Sequence, residues 1–498
     1  MDKQKLGRTR LVRWIGFAAA NLAVMGVVAA GAFLYGWARF AAGLPELKGW
    51  HRQAPAAEFR AAGARPGYTF EDYLKQEAEV FRQLDALVAG PWRAEAAGEF
   101  NRFRSGSVCN PEKTLKRNWN RTFVLKAAKP IGGALLVHGL SDSPYSLRAL
   151  AERLQAEGYT VVGLRVPGHG TCPRALAEAT WQDWTAAVKI GVAGVRELIP
   201  AGTPLILAGY SNGGALSVHY VTSALEDKSL PAVNAVVLFS PMIGISPLAR
   251  VSHLYRAVAR LSGNEKALWS DVSAEVDPFK YCSWPMNASE QAWALTQEVE
   301  RRLAMLERSG RMGQMPPILA MQSAIDATIV VPKLITVLFD RLQPGGASEL
   351  VLFDINRVER LNNLMDLSFE REIWPRLERK DLPFKLTLVG NAAADSPEVK
   401  AQTRAGDSLT EMALGEAWPK GVFSLSHVAV PIPPTDPIYG TAEATAKSGL
   451  PLGSLTARGE RGALMISDSM LIRQRNNPFY AFMADHVVKW LAATTRAH

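Results

Sequence analysis

The stretch Pro204-Leu205-Ile206-Leu207-Ala208-Gly209-Tyr210-Ser211-Asn212-Gly213-Gly214 decides how this chain is read. A short, continuous apolar run ends at Ala208, as in a strand buried on both faces. Helical spacing resumes at Gly213–Leu225, and between the two a serine is flanked by glycines. A serine hydroxyl is a poor nucleophile unless a base removes its proton and the backbone holds it where a substrate can reach it. A strand–Gly-x-Ser-x-Gly–helix turn meets the second need, because small neighbours permit a tight bend that exposes Ser211. The N–H groups at the start of the helix can then face a developing oxyanion. A plain Gly-rich turn is the competing reading; the strand before it and the helix after it favour the nucleophile.

The same rhythm extends in both directions. Ala134–Val137, Val161–Val166, Leu205–Ala208, Ala235–Phe239 and Ile318–Met321 read as buried strands. Tyr145–Glu157, Trp181–Leu198 and Gly213–Leu225 read as the helices between them. Such alternation implies an α/β fold with a mostly parallel central sheet and helices on both faces. Residues 245–312 interrupt it with helix-like stretches, including Glu290–Arg308, and no clear strand; an inserted helical cap is expected. Leu254, Leu261, Leu268, Trp269, Trp284, Trp293, Leu303 and Met305 give that cap its apolar surface. Residues 355–425 contain one strand-like run, Lys385–Val389, in polar surroundings. Upstream, Phe70, Leu74, Phe81, Leu84 and Val88 predict an amphipathic helix over 70–89, and the Ala-, Gly- and Pro-rich residues 41–69 read as a linker.

The chain has 498 residues, 48% apolar and 21% charged, which excludes disordered and collagen-like classes. Of its net charge of +9, Lys3, Lys5, Arg8, Arg10 and Arg13 against Asp2 supply +4, leaving about +5 scattered over the rest. That is no nucleic-acid footprint. Its 3 Cys, Cys109, Cys172 and Cys282, form no zinc pattern, and their spacing cannot select a disulfide. Trp14–Ala38 carries no charge over 25 residues, enough for a transmembrane helix, with Trp14, Tyr35 and Trp37 at its ends. The basic flank predicts a cytoplasmic N-terminus and an exported body. A cleaved signal peptide ending near Ala30-Gly31-Ala32 is the alternative.

Leu135-Leu136-Val137-His138-Gly139-Leu140-Ser141-Asp142-Ser143-Pro144 ends another strand, where the N–H of Leu140 could join that of Asn212 as an oxyanion donor. Together with Gly209–Gly214, Val166-Pro167-Gly168-His169-Gly170 and Thr180-Trp181-Gln182-Asp183-Trp184, it resembles the α/β-hydrolase superfamily, closest to its carboxylesterase and monoacylglycerol-lipase-like branch. The resemblance implies a serine hydrolase with chain order Ser, acid, His. Asp326, in the loop after Pro316–Ser323, matches the acid position, with Asp354 in reserve. His427 follows the strand-like Val422–Ser426 and matches the base, ahead of His486 and His498. The distance from Leu350–Phe353 to His427, about 70 residues, exceeds the short loop usual in the family. His138 reads as a loop-shaping residue, Cys172 as an unsupported alternative nucleophile, and Asn287-Ala288-Ser289 as a chance sequon.

The expected organisation is a basic tail (1–13), an anchor (14–38), a linker with an amphipathic helix (39–104), a first core part (105–244), the cap (245–312) and a second core part (313–498) with its insertion near 355–425. The expected activity is hydrolysis of carboxylic esters, small-molecule or lipid, at a membrane, through Ser211, His427 and Asp326, without metal or organic cofactor. An acyltransferase using the same serine, or a binding protein on a retained hydrolase fold, are the alternatives.

Overall fold

The computed structural model describes residues 3–244, 263–359, 368–446, 449–450, 452–453 and 473–495. The strands in chain order are β1 (Phe123–Leu125), β2 (Gly132–Val137), β3 (Tyr159–Leu164), β4 (Leu205–Tyr210), β5 (Ala235–Phe239), β6 (Trp269–Asp271), β7 (Trp284–Pro285), β8 (Ile318–Ser323), β9 (Glu349–Phe353), β10 (Lys385–Asn391), β11 (Glu398–Ala405) and β12 (Ser408–Ala417). β2, β3, β4, β5 and β8 hold no charged residue and are buried at every position. Strands of that kind need cover on both faces, which parallel pairing with helical crossovers supplies.

Ten strands join in the order β1-β3-β2-β4-β5-β8-β9-β10-β11-β12. Pairing is parallel from β3 through β10 and antiparallel at β1 and at β11 and β12. The expected mostly parallel α/β sheet is therefore present. The period of two sends neighbouring side chains to opposite layers. Leu135 and Val137 join Val188, Val192 and Val195 of the helix Trp181–Glu197 on one face. Ala134 and Leu136 join Leu150 and Leu154 of the helix Arg148–Ala156, with Met483 and Val487 of the helix Tyr480–Thr495, on the other. From β2 the chain passes to β3 on one side, then returns to β4 on the other. Loops leaving the C-terminal ends of β2 and β4 flank this reversal, where open α/β sheets form binding crevices.

Several expectations need correction. Residues 41–69 are not a loose linker, since Leu47, Trp50 and Phe59 are buried. Arg165, 1% exposed, pairs with Glu58 at 2.9 Å and Glu77 at 3.1 Å, fastening this segment and the helix Phe70–Ala89 to the body. Leaving such a buried charge unpaired would cost roughly 3–5 kcal/mol. The region read as strandless contains the ribbon β6–β7, followed by the helix Met286–Arg308. The cap positions Leu254 and Leu261 lie outside the described residues. Within residues 355–425, β11 and β12 extend the sheet as an antiparallel hairpin. β12 is exposed along most of its length, so burial imposed no alternating pattern to read. Val422–Ser426 is coil with a bend at Ser424 rather than strand. At the N-terminus one helix runs Lys3–Gly43, and within it Val24–Gly43 is long and apolar enough to cross a membrane. Trp37 and Ala41 near its end pack on Ala267.

Candidate active site

Ser211 stands between β4 and the helix Asn212–Glu226 at φ 53° and ψ −115°. That conformation costs an L-residue roughly 1–3 kcal/mol and persists only when the surroundings over-determine it. Here they do. The Ser211 N–H donates to Phe239 O at 2.9 Å, and Ser211 O accepts from the N–H groups of Gly214 and Met242, each at 2.9 Å. A Cβ on Gly213 would lie 1.9 Å from Val137 O, and one on Gly209 2.2 Å from Gly213 O. Only hydrogen fits at either position, so the elbow is wedged between β2 and β5.

Asn212 opens the helix, so its N–H lacks an intrahelical acceptor and points where the helix dipole is positive. Leu140 lies in the loop leaving β2. His138 shapes that loop: its Nδ1–H donates to Gly139 O at 2.8 Å, while Nε2 accepts from the Val166 N–H at 3.0 Å. Burial pushes this imidazole well below its ordinary range and keeps it neutral. The bond accepted by Nε2 requires that neutral form.

Asp326 lies beyond β8 in a loop that its own carboxylate organises. Oδ1 accepts from the N–H groups of Thr328 and Ile329 at 2.8 and 3.0 Å. Oδ2 accepts from His427 Nδ1–H at 2.7 Å, across 101 residues of chain. Burial alone would raise the Asp326 carboxyl, but the facing His427 and these backbone donors hold it below the usual range. The loop bearing His427 is fixed without strand pairing. The Asn356 N–H donates to Phe423 O at 2.7 Å, Asn356 Nδ2 donates to Val422 O at 2.9 Å, and Ser426 Oγ donates to Gln474 O.

Ser211 and His427 line one cavity of about 180 Å³ with Leu140, Met242, Trp284 and Ile329. The structure thus gathers the candidates from the β2, β4 and β8 loops and the distant His427 loop. A larger cavity of about 910 Å³ contains neither Ser211 nor His427. The reserve acid Asp354 instead grips Arg357 through bonds of 2.9 and 3.0 Å, and His486 faces Glu349 at 2.9 Å. His498 is outside the described residues. Cys172 is buried with its thiol pushed up to about 12, unsuited to nucleophilic attack, and all three cysteines are free thiols. The sequon Asn287 is buried, and its Nδ2 donates to Leu176 O and Ala179 O at 3.1 and 2.8 Å, so its amide is committed inside the fold. Among the described residues no cluster of His, Cys, Asp and Glu is arranged to hold a metal. Sequence reasoning missed Lys280 and Arg473, which also line the cavity; neither lies in a motif.

Comparison with known proteins gives a consistent picture. Residues 128–306 match the family model described as serine aminopeptidase, S33. A thermostable monoacylglycerol lipase of Bacillus sp. (strain H-257) is 33% identical over 105 residues, which is 21% of this chain and 41% of the lipase. Phospholipase YtpA of Bacillus subtilis (strain 168) is 27% identical over 121 residues, 24% of this chain and 44% of that protein. The chain therefore spans less than half the length of either relative. Among solved structures, the monoacylglycerol lipase of Paleococcus ferrophilus aligns with a TM-score of 0.35 at 22% identity, over 47% of this chain and 89% of that one. The family match, the relatives and the sheet order agree with the motifs: the matched body of the chain has an α/β-hydrolase fold and is similar to proteins of the carboxylesterase and monoacylglycerol-lipase branch.

Proposed function

We propose that this protein is a serine hydrolase of carboxylic esters that works on lipid-like substrates beside a membrane. The observation that carries the reading is a strained Ser211 sharing a cavity with His427, whose Nδ1–H is held by Asp326 at 2.7 Å. With its proton fixed on Nδ1, the ring turns a lone pair at Nε2 toward the cavity, as a general base requires. Ser211 attacks the acyl carbon while His427 takes its proton and passes it to the leaving alcohol. Asp326 orients the ring and stabilises its cation. The N–H groups of Leu140 and Asn212 receive the oxyanion, each worth roughly a hundred- to a thousand-fold in rate. Water, activated by the same imidazole, then releases the acid. That the relatives are a monoacylglycerol lipase and a phospholipase supports ester bonds of lipids as the substrate class.

The helix Lys3–Gly43 is the proposed anchor. Trp14, Phe17, Leu22, Met25, Val28 and Tyr35 are exposed along it, a surface suited to lipid rather than water. With its basic residues on the cytoplasmic side, the body lies on the exported side. Retention in washed membranes together with an intact N-terminus supports this; a mature chain beginning near residue 33 would replace the anchor with a signal peptide. The chemistry is tested with a fluorophosphonate probe and a chromogenic ester. Labelling of Ser211 with matching turnover is expected, and full esterase activity in Ser211→Ala would remove the nucleophile.

A further inference from the structure

We propose that the cavity around Ser211 selects esters whose alcohol part carries a phosphate, and that Arg473 recognises that phosphate. The inference rests on the ester-hydrolase reading and names its substrate class. Arg473 is half-buried on the cavity wall. Its Nη2–H donates to Thr328 Oγ1 at 2.8 Å, the Thr328 N–H donates to Asp326 Oδ1 at 2.8 Å, and Asp326 Oδ2 holds His427 at 2.7 Å. This chain of bonds sets the guanidinium on the imidazole side of the cavity. That is the side from which the proton reaches the leaving alcohol, so a charge carried by the alcohol meets Arg473.

The guanidinium is also under-used. Arg148, Arg165, Arg302 and Arg357 each face two carboxylates. Among the described residues no carboxylate pairs with Arg473, and Thr328 takes one of its donors. Lys280 enters the same cavity but is engaged by Asp142 at 3.0 Å. Two fixed cations against one carboxylate leave the lining positive, with a planar donor fork open beside the leaving group. Phosphate oxygens match that fork bidentately, and in a half-buried site the attraction is screened less than in bulk water. Met242, Trp284 and Ala292 leave the rest of the cavity apolar, as an acyl chain requires.

The test uses the full chain in neutral detergent micelles with two substrates of one acyl chain, 1-acylglycerol and 1-acylglycerol 3-phosphate. Wild type is expected to favour the phosphate ester at least ten-fold in kcat/KM, with the preference shrinking as salt rises. Arg473→Gln is expected to lower the phosphate-to-neutral ratio at least ten-fold, mainly through KM, and Arg473→Lys to restore part of it. A wild type that favours the neutral ester, or a ratio untouched in Arg473→Gln, overturns the proposal. So does equal preference for an ester whose alcohol bears a carboxylate. If Ser211 takes the fluorophosphonate and the neutral ester is cleaved while the ratio is flat, only the head-group inference falls. If neither labelling nor cleavage occurs, the hydrolase reading itself has failed.

Discussion

The two halves of the site are held by different forces. The Ser211 half is steric: backbone of β2, β4 and β5 closes so tightly on the elbow that Gly209 and Gly213 have no room for a Cβ. The Asp326–His427 half is electrostatic: two loops 101 residues apart are joined by one short bond to a carboxylate that N–H donors of its own loop hold in place. A steric device tolerates no substitution but is indifferent to charge. An electrostatic one keeps its shape when the charge is removed and loses its chemistry instead. Fold and reaction can therefore be broken separately.

The largest effect is expected where the halves meet. Ser211→Ala, which lightens the elbow without closing it, should lower kcat on a chromogenic ester by roughly 10⁵-fold. Its urea unfolding midpoint should stay near wild type. Asp326→Asn attacks the electrostatic half alone. Asn keeps an acceptor for the Thr328 and Ile329 amides but no longer stabilises the His427 cation, so kcat should fall roughly 10³–10⁴-fold, while stability drops only by what the lowered carboxyl contributes at neutral pH. Gly213→Ala attacks the steric half alone. Its methyl would collide with Val137 O at 1.9 Å, and stability should fall by roughly 1–3 kcal/mol or more, read from urea unfolding. If this variant unfolded like wild type, the elbow would not be the tightly packed device described here.

The same difference explains what could be read from the sequence. Steric demands leave local marks: an apolar strand, a Gly-x-Ser-x-Gly bend and a helix start are neighbours in the chain, and Ser211 with Asn212 followed from them. Phe70–Ala89 and Ala235–Phe239 were equally legible, because a strong apolar period or an unbroken apolar run specifies the element by itself. Long-range electrostatics leaves weaker marks. Asp326 and His427 came from chain order and a family resemblance. The strand expected before His427 is absent, its place taken by bonds from Asn356 that no local pattern announces. Glu58 and Arg165 gave no signal because their value lies in a pairing 107 residues apart, and residues 41–69 consequently looked like a linker. The exposed hairpin β11–β12 was missed for the opposite reason: little of it is buried, so little constrains its residues.

Acid should separate the halves once more, with the smallest effect. Behind the oxyanion side, His169 is fully buried, and its Nδ1–H donates to Pro167 O at 3.0 Å. Burial lowers its pKa to about 3, against about 6.5 in an unfolded chain. As pH falls below about 6.5 the unfolded chain therefore binds the proton first. The stability that depends on neutral His169 is complete above that pH and is lost progressively as pH falls toward 3, at about 1.4 kcal/mol per pH unit. The Asp326 carboxyl is also lowered on folding, but from an unfolded value near 3.9, so its contribution persists above about pH 4 and disappears only as pH drops through its lower folded value. Urea unfolding at pH 7, 6 and 5 should accordingly show a shallower loss of stability in His169→Gln than in wild type, while Asp326→Asn parallels wild type throughout that range. Equal slopes for His169→Gln and wild type would mean that His169 is charged in the folded protein, and the neutral packing behind the His138 loop would have to be redrawn.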